Sequence, residues 1–214
     1  TIVYSGEVAH RDSTGQGGVI GPGDVQWMTA GAGIVHEEFH SADFTRNGGT
    51  LELVQLWVNL PAAHKMTPPA YQAITARQIP TVELPNAAGS ARIIAGEYLG
   101  WRGPARTFTP VDLWDLRLRG DREIELRIAD GQTAALVVLR GSVRINRERT
   151  ASDAQVVLYE RAGNDISVAT DGEATLLLLG GQPIDEPIVG YGPFVMNSRA
   201  EIEQALRDFR SGRF

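Results

Sequence analysis

The chain has 214 residues, of which 43% are hydrophobic and 21% charged, the balance of a folded globular protein rather than a disordered one. Its formal net charge is −6 and no basic cluster interrupts it, so no direct nucleic-acid partner is expected. Cysteine is absent, which excludes disulfides, thiolate metal sites and cysteine nucleophiles and agrees with an expected cytoplasmic location. The apolar run from Ala174 to Leu179 is too short to span a membrane, no signal peptide is visible, and no membrane partner is expected.

The chain opens on Thr1-Ile2-Val3-Tyr4, already strand-like and without an initiator methionine, so a further segment upstream is expected. Thr1 to His10 reads as two short strands or one bent strand. A turn cluster from Arg11 to Gly18 follows, then a short strand at Val19-Ile20. In Gly21-Pro22-Gly23-Asp24 the proline presets the first central position of a type II turn and the glycine accepts the positive φ of the second. Val25 to Met28 reads as a strand. Leu51 to Leu60 reads as the strongest strand of the chain, its tail alternating Val54, Leu56 and Val58 against Gln55, Trp57 and Asn59 until Pro61 ends it.

Residues 62–81, with Pro68-Pro69 and Pro80, read as an irregular connector. Strands then resume at Ala91 to Ala95, Arg106 to Phe108, Leu113 to Leu118, Glu123 to Ile128, Ala134 to Leu139, Ser142 to Asn146, Gln155 to Tyr159, Ile166 to Ala169 and Ala174 to Leu179. Helix periodicity appears only at the end, where Ile202, Ala205, Leu206 and Phe209 recur after Asn197-Ser198 and before Gly212; this stripe is expected to dock on the β domains.

His36-Glu37-Glu38-Phe39-His40 spells the zinc-protease signature, which works only on a helix, where residues four apart share a face. A helix here would begin straight after Gly31-Ala32-Gly33 with no capping residue, and its neighbours are short strands. A strand is therefore expected. On it His36, Glu38 and His40 share one face, while Glu37 and Phe39 point the other way. His10, beside a turn, and His64, beside Lys65, are expected to be solvated. Trp27, Met28, Phe39 and Trp57 are expected in the core or lining a pocket.

The two halves resemble each other weakly: Ile2 to Val8 matches Val137 to Val143, and Leu53 to Pro61 matches Thr175 to Pro183. Taken as a repeat, this implies two similar β domains. No histidine follows His64, so any histidine-rich site lies in the first half.

Gly21 to Gly31, Gly33-Ile34-Val35-His36, Gln55 to Pro61, Lys65 to Pro69 and Gly190 to Asn197 are similar to the pirin family, a branch of the bicupins. The resemblance covers nearly the whole chain. It implies an all-β protein of two tandem cupin-type β-barrels with a short C-terminal helix. The expected divisions are an N-terminal cupin over 1–62, a connector over 63–90, a C-terminal cupin without metal ligands over 91–190, and a tail over 191–214 with a helix over 198–211.

The resemblance further implies one divalent metal, usually Fe(II), with Zn, Ni, Cu or Mn compatible with the same donors. His36 and Glu38 match two of its ligands. Two further histidines, from a His-x-His motif, are expected ahead of Thr1. His40 receives no ligand role and is expected at the rim or behind the ligands. Some members act as quercetin 2,3-dioxygenases, which implies a flavonol-like aromatic substrate and a Glu38 that serves as ligand and base together. Others act as regulators through protein partners, with the metal as a structural or redox-responsive element. A chain that has lost its metal is the third reading.

Overall fold

A computed structural model describes the whole chain, Thr1–Phe214. Its residues fall into two contact units, one of Thr1–Gln78 with Ile184–Phe214 and one of Ile79–Pro183. No helix is long and apolar enough to cross a membrane.

The first unit begins with β1 (Ile2–Ser5), β2 (Val8–Asp12), β3 (Gly17–Ile20), β4 (Val25–Thr29), β5 (His36–His40), the short helix α1 (Ala42–Asn47), β6 (Glu52–Val54) and β7 (Ala70–Ile74). They form a four-stranded sheet in the order β6-β1-β4-β7 and a three-stranded sheet in the order β3-β2-β5. The turn between β3 and β4 forms as its sequence predicts. Gly23 has φ +86° and the Asp24 N–H donates to the Gly21 carbonyl at 2.9 Å. Ser41 caps α1 by accepting from the Phe44 N–H at 3.0 Å.

Val3, Val8 and Ile20 form an apolar cluster in this unit, where Ile2, Val25 and Ile74 are also buried. His10 and Gln26 are buried in the same unit at 3% and 4% exposure, which makes its interior partly polar.

The second unit holds β8 (Thr81–Glu83), β9 (Gly89–Ala95), β10 (Glu97–Tyr98), β11 (Trp101–Arg102), β12 (Val111–Leu118), β13 (Arg122–Arg127), β14 (Thr133–Arg140), β15 (Ser142–Ile145), β16 (Arg149–Ser152), β17 (Gln155–Leu158), β18 (Asp165–Thr170) and β19 (Ala174–Gly181). A six-stranded sheet, β17-β14-β19-β12-β9-β8, and a four-stranded sheet, β13-β18-β15-β16, supply one continuous apolar core. The alternation in β12 and β13 explains this: Trp114, Leu116 and Leu118 enter the core from one strand, and Ile124 and Leu126 from the other. No histidine lies in this unit.

The chain then returns to the first unit as β20 (Val189–Tyr191), β21 (Phe194–Met196) and α2 (Arg199–Arg210). Ser198 caps α2 by accepting from the Glu201 N–H at 3.3 Å. Glu186 ties this return in place: its Oε2 accepts from the Ala62 N–H at 2.6 Å and from Asn197 Nδ2 at 3.1 Å. Lys65 is buried beside it and donates to Asn59 Oδ1; burial pushes its ammonium down, partly offset by the charges of Glu186 and Glu201. The rings of Phe194, Phe209 and Phe214 cluster with centroids 6.0 to 6.4 Å apart. Phe214 covers Gly33, where a Cβ would lie 2.2 Å from the ring, so the C-terminus packs directly on the loop that leads into β5.

Several expectations are corrected. Only Glu52–Val54 of the Leu51 to Leu60 segment is strand. β6 pairs with β1 alone and its ladder ends at Ile2–Val54, so residues 55–60 gain no ladder, and Trp57 is 71% exposed rather than in the core. Phe39 is also exposed. Within the stretch read as an irregular connector, β7 pairs with β4 over five residues. Arg106 to Phe108 forms no strand.

Candidate metal centre

The decisive geometry is the antiparallel pairing of β2 with β5. Its register sets His10 opposite Glu38 and Asp12 opposite His36. Because strand side chains alternate, these four residues occupy one face of the β3-β2-β5 sheet as two facing pairs. Arg11, Glu37 and Phe39 occupy the other face, where Arg11 Nε meets Glu37 Oε1 at 2.7 Å and its guanidinium lies 5.6 Å from the Phe39 ring centre. That ion pair holds the Glu37 carboxyl below its ordinary range. The segment is thus a strand, and Glu37 stands away from the histidines. The helical zinc-protease geometry does not form.

His10, His36 and Glu38 each offer one ligand atom, and these atoms all lie within 4.8 Å of one another. The His10 and His36 rings are 5.4 Å apart. Two imidazoles and a carboxylate form a donor set that suits a divalent transition metal, so the group can hold one. His40 does not join it. It lies opposite Val8, two pairs further along the ladder, with its ring edge-on to Phe44 at 5.2 Å.

The Glu38 carboxylate is gripped from the four-stranded sheet and the segment beyond it. Gln26 on β4 donates from Nε2 to Oε1 at 2.8 Å, and Gln55, just past β6, donates from Nε2 to Oε2 at 2.7 Å. The Thr1 hydroxyl adds a longer bond to Oε1 at 3.4 Å. Each carboxylate oxygen therefore accepts one side-chain amide; Oε2 keeps lone-pair capacity for another partner, and Oε1 gains it when the long Thr1 bond is given up.

His10 is held on every side. Nε2 faces Asp12 Oδ2 at 3.0 Å, Nδ1 faces Gln26 Nε2 at 3.3 Å, and Tyr71 on β7 stacks on the ring at 4.8 Å with an interplanar angle of 9°. Both side chains of the His10–Asp12 pair are fully buried. Burial pushes the Asp12 carboxyl up, but hydrogen bonds from Thr14, His10 and Gln16 outweigh it and hold the group below its ordinary range. Burial, with the charges of Asp12 and Glu38 nearby, pushes the Tyr71 hydroxyl up.

His10 is thus buried, contrary to the expectation of a solvated residue beside a turn; His64 is exposed as expected. Sequence reasoning also missed Gln26 and Gln55. One signal for His10 was present: His10 and Asp12 are two apart on a strand, the same spacing that singles out His36 and Glu38.

Comparison with known proteins places this geometry in a family. Residues 1–58 match the Pirin family and residues 113–214 match the Pirin C-terminal cupin domain. A Pseudomonas aeruginosa protein with the provisional name quercetin 2,3-dioxygenase is 53% identical over 214 residues, which span 100% of this chain and 74% of that protein. The chain belongs to the pirin family. Pirin-1 of Arabidopsis thaliana is 35% identical over 218 residues, spanning 100% of this chain and 73% of that protein. A crystal structure of quercetin 2,3-dioxygenase from Acinetobacter baumannii superposes with a TM-score of 0.96 at 49% identity, over 100% of this chain and 74% of that one. The all-β fold expected from the sequence, two cupin domains with a short C-terminal helix, is that of this pirin.

Proposed function

We propose that this pirin holds one divalent metal through His36 and Glu38 and uses it to open flavonols such as quercetin with dioxygen. The observation that carries the metal reading is the placement of His36 and Glu38 on one sheet face, where their ligand atoms lie within 4.8 Å of each other. The substrate class comes from the provisional name of the 53%-identical Pseudomonas aeruginosa relative. Iron is the metal the family resemblance implies, and the further ligands it implies are the histidine pair expected ahead of Thr1.

Bound there, the metal supplies Lewis-acid polarisation of an oxygen donor. The protein's part is proton handling and orientation. Glu38 has both oxygens fixed by Gln26 and Gln55; with the long Thr1 bond to Oε1 given up, one oxygen can serve the metal while the other accepts the flavonol hydroxyl proton. Tyr71, stacked on His10, shields the buried side of the site from water.

Anaerobic loading of the full natural chain with Fe(II), followed by quercetin and air, tests the reading. Consumption of the flavonol absorbance band is expected, with its loss in His36→Ala. A fully metallated protein that leaves quercetin intact would contradict the dioxygenase assignment and favour the regulatory alternative, in which the metal-bearing protein acts through protein contacts.

A further inference from the structure

The hydrogen bonds around His10 link Asp12 to Glu38 through Gln26, whose side-chain nitrogen stands between the His10 ring and the Glu38 carboxylate. Asp12 Oδ1 accepts from the Thr14 N–H at 2.9 Å, the Thr14 hydroxyl at 2.6 Å and the Gln16 N–H at 3.2 Å. That leaves Oδ2 for His10 Nε2, at 3.0 Å. A carboxylate only accepts, so Nε2 carries the ring proton and Nδ1 presents its lone pair. Nδ1 meets Gln26 Nε2 at 3.3 Å. The same amide nitrogen donates its second hydrogen to Glu38 Oε1 at 2.8 Å.

Turning the Gln26 amide over would set its carbonyl oxygen against a ring lone pair and a carboxylate oxygen together. The orientation adopted spends both N–H bonds and leaves Gln26 Oε1 buried without a hydrogen-bond partner. An unpartnered buried acceptor is tolerated so that both donors point this way. Tyr71, stacked on the His10 ring, keeps it from turning out of line.

We infer that Asp12, His10 and Gln26 form a positioning relay that fixes the Glu38 carboxylate for the metal, and that His10 acts through this relay and not as a ligand. The inference rests on the proposed role of Glu38 as a ligand. It explains why a buried imidazole with both ring nitrogens engaged stands beside His36. It also gives the Asp12 turn a purpose at the metal centre, three hydrogen bonds from Glu38 along the relay. Metal ligands that are carboxylates need partners of this kind, and altering such partners costs about 10- to 100-fold in metal affinity.

Asp12→Asn tests the relay sharply. The introduced amide would keep its oxygen on Thr14 and Gln16, because three donors converge there, so its NH2 would face His10 Nε2. The ring proton must then move to Nδ1, where it abuts the Gln26 N–H and breaks the relay. Two-bond nitrogen–proton NMR on the 15N-labelled, metal-free full natural chain can read the His10 tautomer, with His10 assigned by the signals lost in His10→Gln.

The expected result is an Nε2–H tautomer in the wild type and an Nδ1–H tautomer in Asp12→Asn, with a shifted Gln26 side-chain amide resonance. Zn(II) affinity by chelator competition should fall about 10- to 100-fold. Thr14→Ala, which loosens the same turn while leaving the carboxylate, should change neither tautomer nor affinity. An Nδ1–H tautomer in the wild type, no reversal in Asp12→Asn, or reversal with unaltered Zn(II) affinity would each overturn the relay. Equal weakening of Zn(II) by Thr14→Ala with the tautomer intact would overturn it as well. Should the wild type bind no Zn(II), the metal reading of Glu38 fails, while the metal-free spectra still decide the relay.

Discussion

His36→Ala combined with Glu38→Ala is expected to remove stoichiometric divalent metal from the protein. Each residue contributes one ligand atom to the group on the β2–β5 face, and the relay and Gln55 serve only to orient Glu38. Loss of both ligands should cost more than the roughly 10- to 100-fold that changes behind the ligands produce. The fold should survive, because both side chains are exposed and the apolar cluster of Val3, Val8 and Ile20 does not include them. Metal content after desalting, compared with the wild type, reads the loss. The metal-induced rise in melting temperature should vanish in parallel, since a ligand that no longer binds the native state no longer stabilises it. Undiminished metal content in the double variant would remove the site from this face.

Gly89→Ala is expected to be the most damaging glycine-to-alanine substitution in the second unit. Gly89 begins β9 with φ +133°, a conformation that side chains rarely adopt. A Cβ there would stand 1.8 Å from the Arg117 carbonyl oxygen, on the paired strand β12, where Gly89 lies opposite Leu118. Relief requires β9 and β12 to separate, and these strands carry Ile93, Leu116 and Trp114 into the continuous core. Backbone strain and overpacking together should cost roughly 3 kcal/mol or more. Urea unfolding of the full chain measures it. A midpoint equal to that of the wild type would show that the tight approach of the two strands is not required.

These two cases also mark what a sequence can disclose. The half-buried strands β12 and β13 were legible because Trp114, Leu116 and Leu118 alternate with polar neighbours, as do Ile124 and Leu126, and local period-two patterning is enough to place such residues. Helix α2 was legible from its cap and its apolar stripe. His36 and Glu38 could be paired on one strand face from spacing alone. The burial of His10 could not, because it is created by β5 docking across β2 and by Tyr71 arriving from β7, more than 60 residues away in sequence.

The strand expected through Leu60 fails for a related reason. Leu56 and Val58 have the right alternation, but a strand needs a ladder, and β1 pairs no further than Val54. The strand β7 was hidden between Pro68-Pro69 and Pro80, whose local punctuation outweighed a pairing with β4 that only the tertiary structure supplies. Gln26 and Gln55 carry no signal of their own. Their role appears once β4 and the segment just past β6, distant in sequence, bring their amides to the same carboxylate.

The most direct measurement of the central claim is anomalous diffraction at the iron edge from crystals of the full natural chain loaded with Fe(II). One strong peak is expected in the first cupin domain, with an imidazole nitrogen of His36 and a carboxylate oxygen of Glu38 bonded to it, and with His10 still bonded to Asp12 and Gln26. A metal bound elsewhere, or one in this domain coordinated without His36 and Glu38, would contradict the claim.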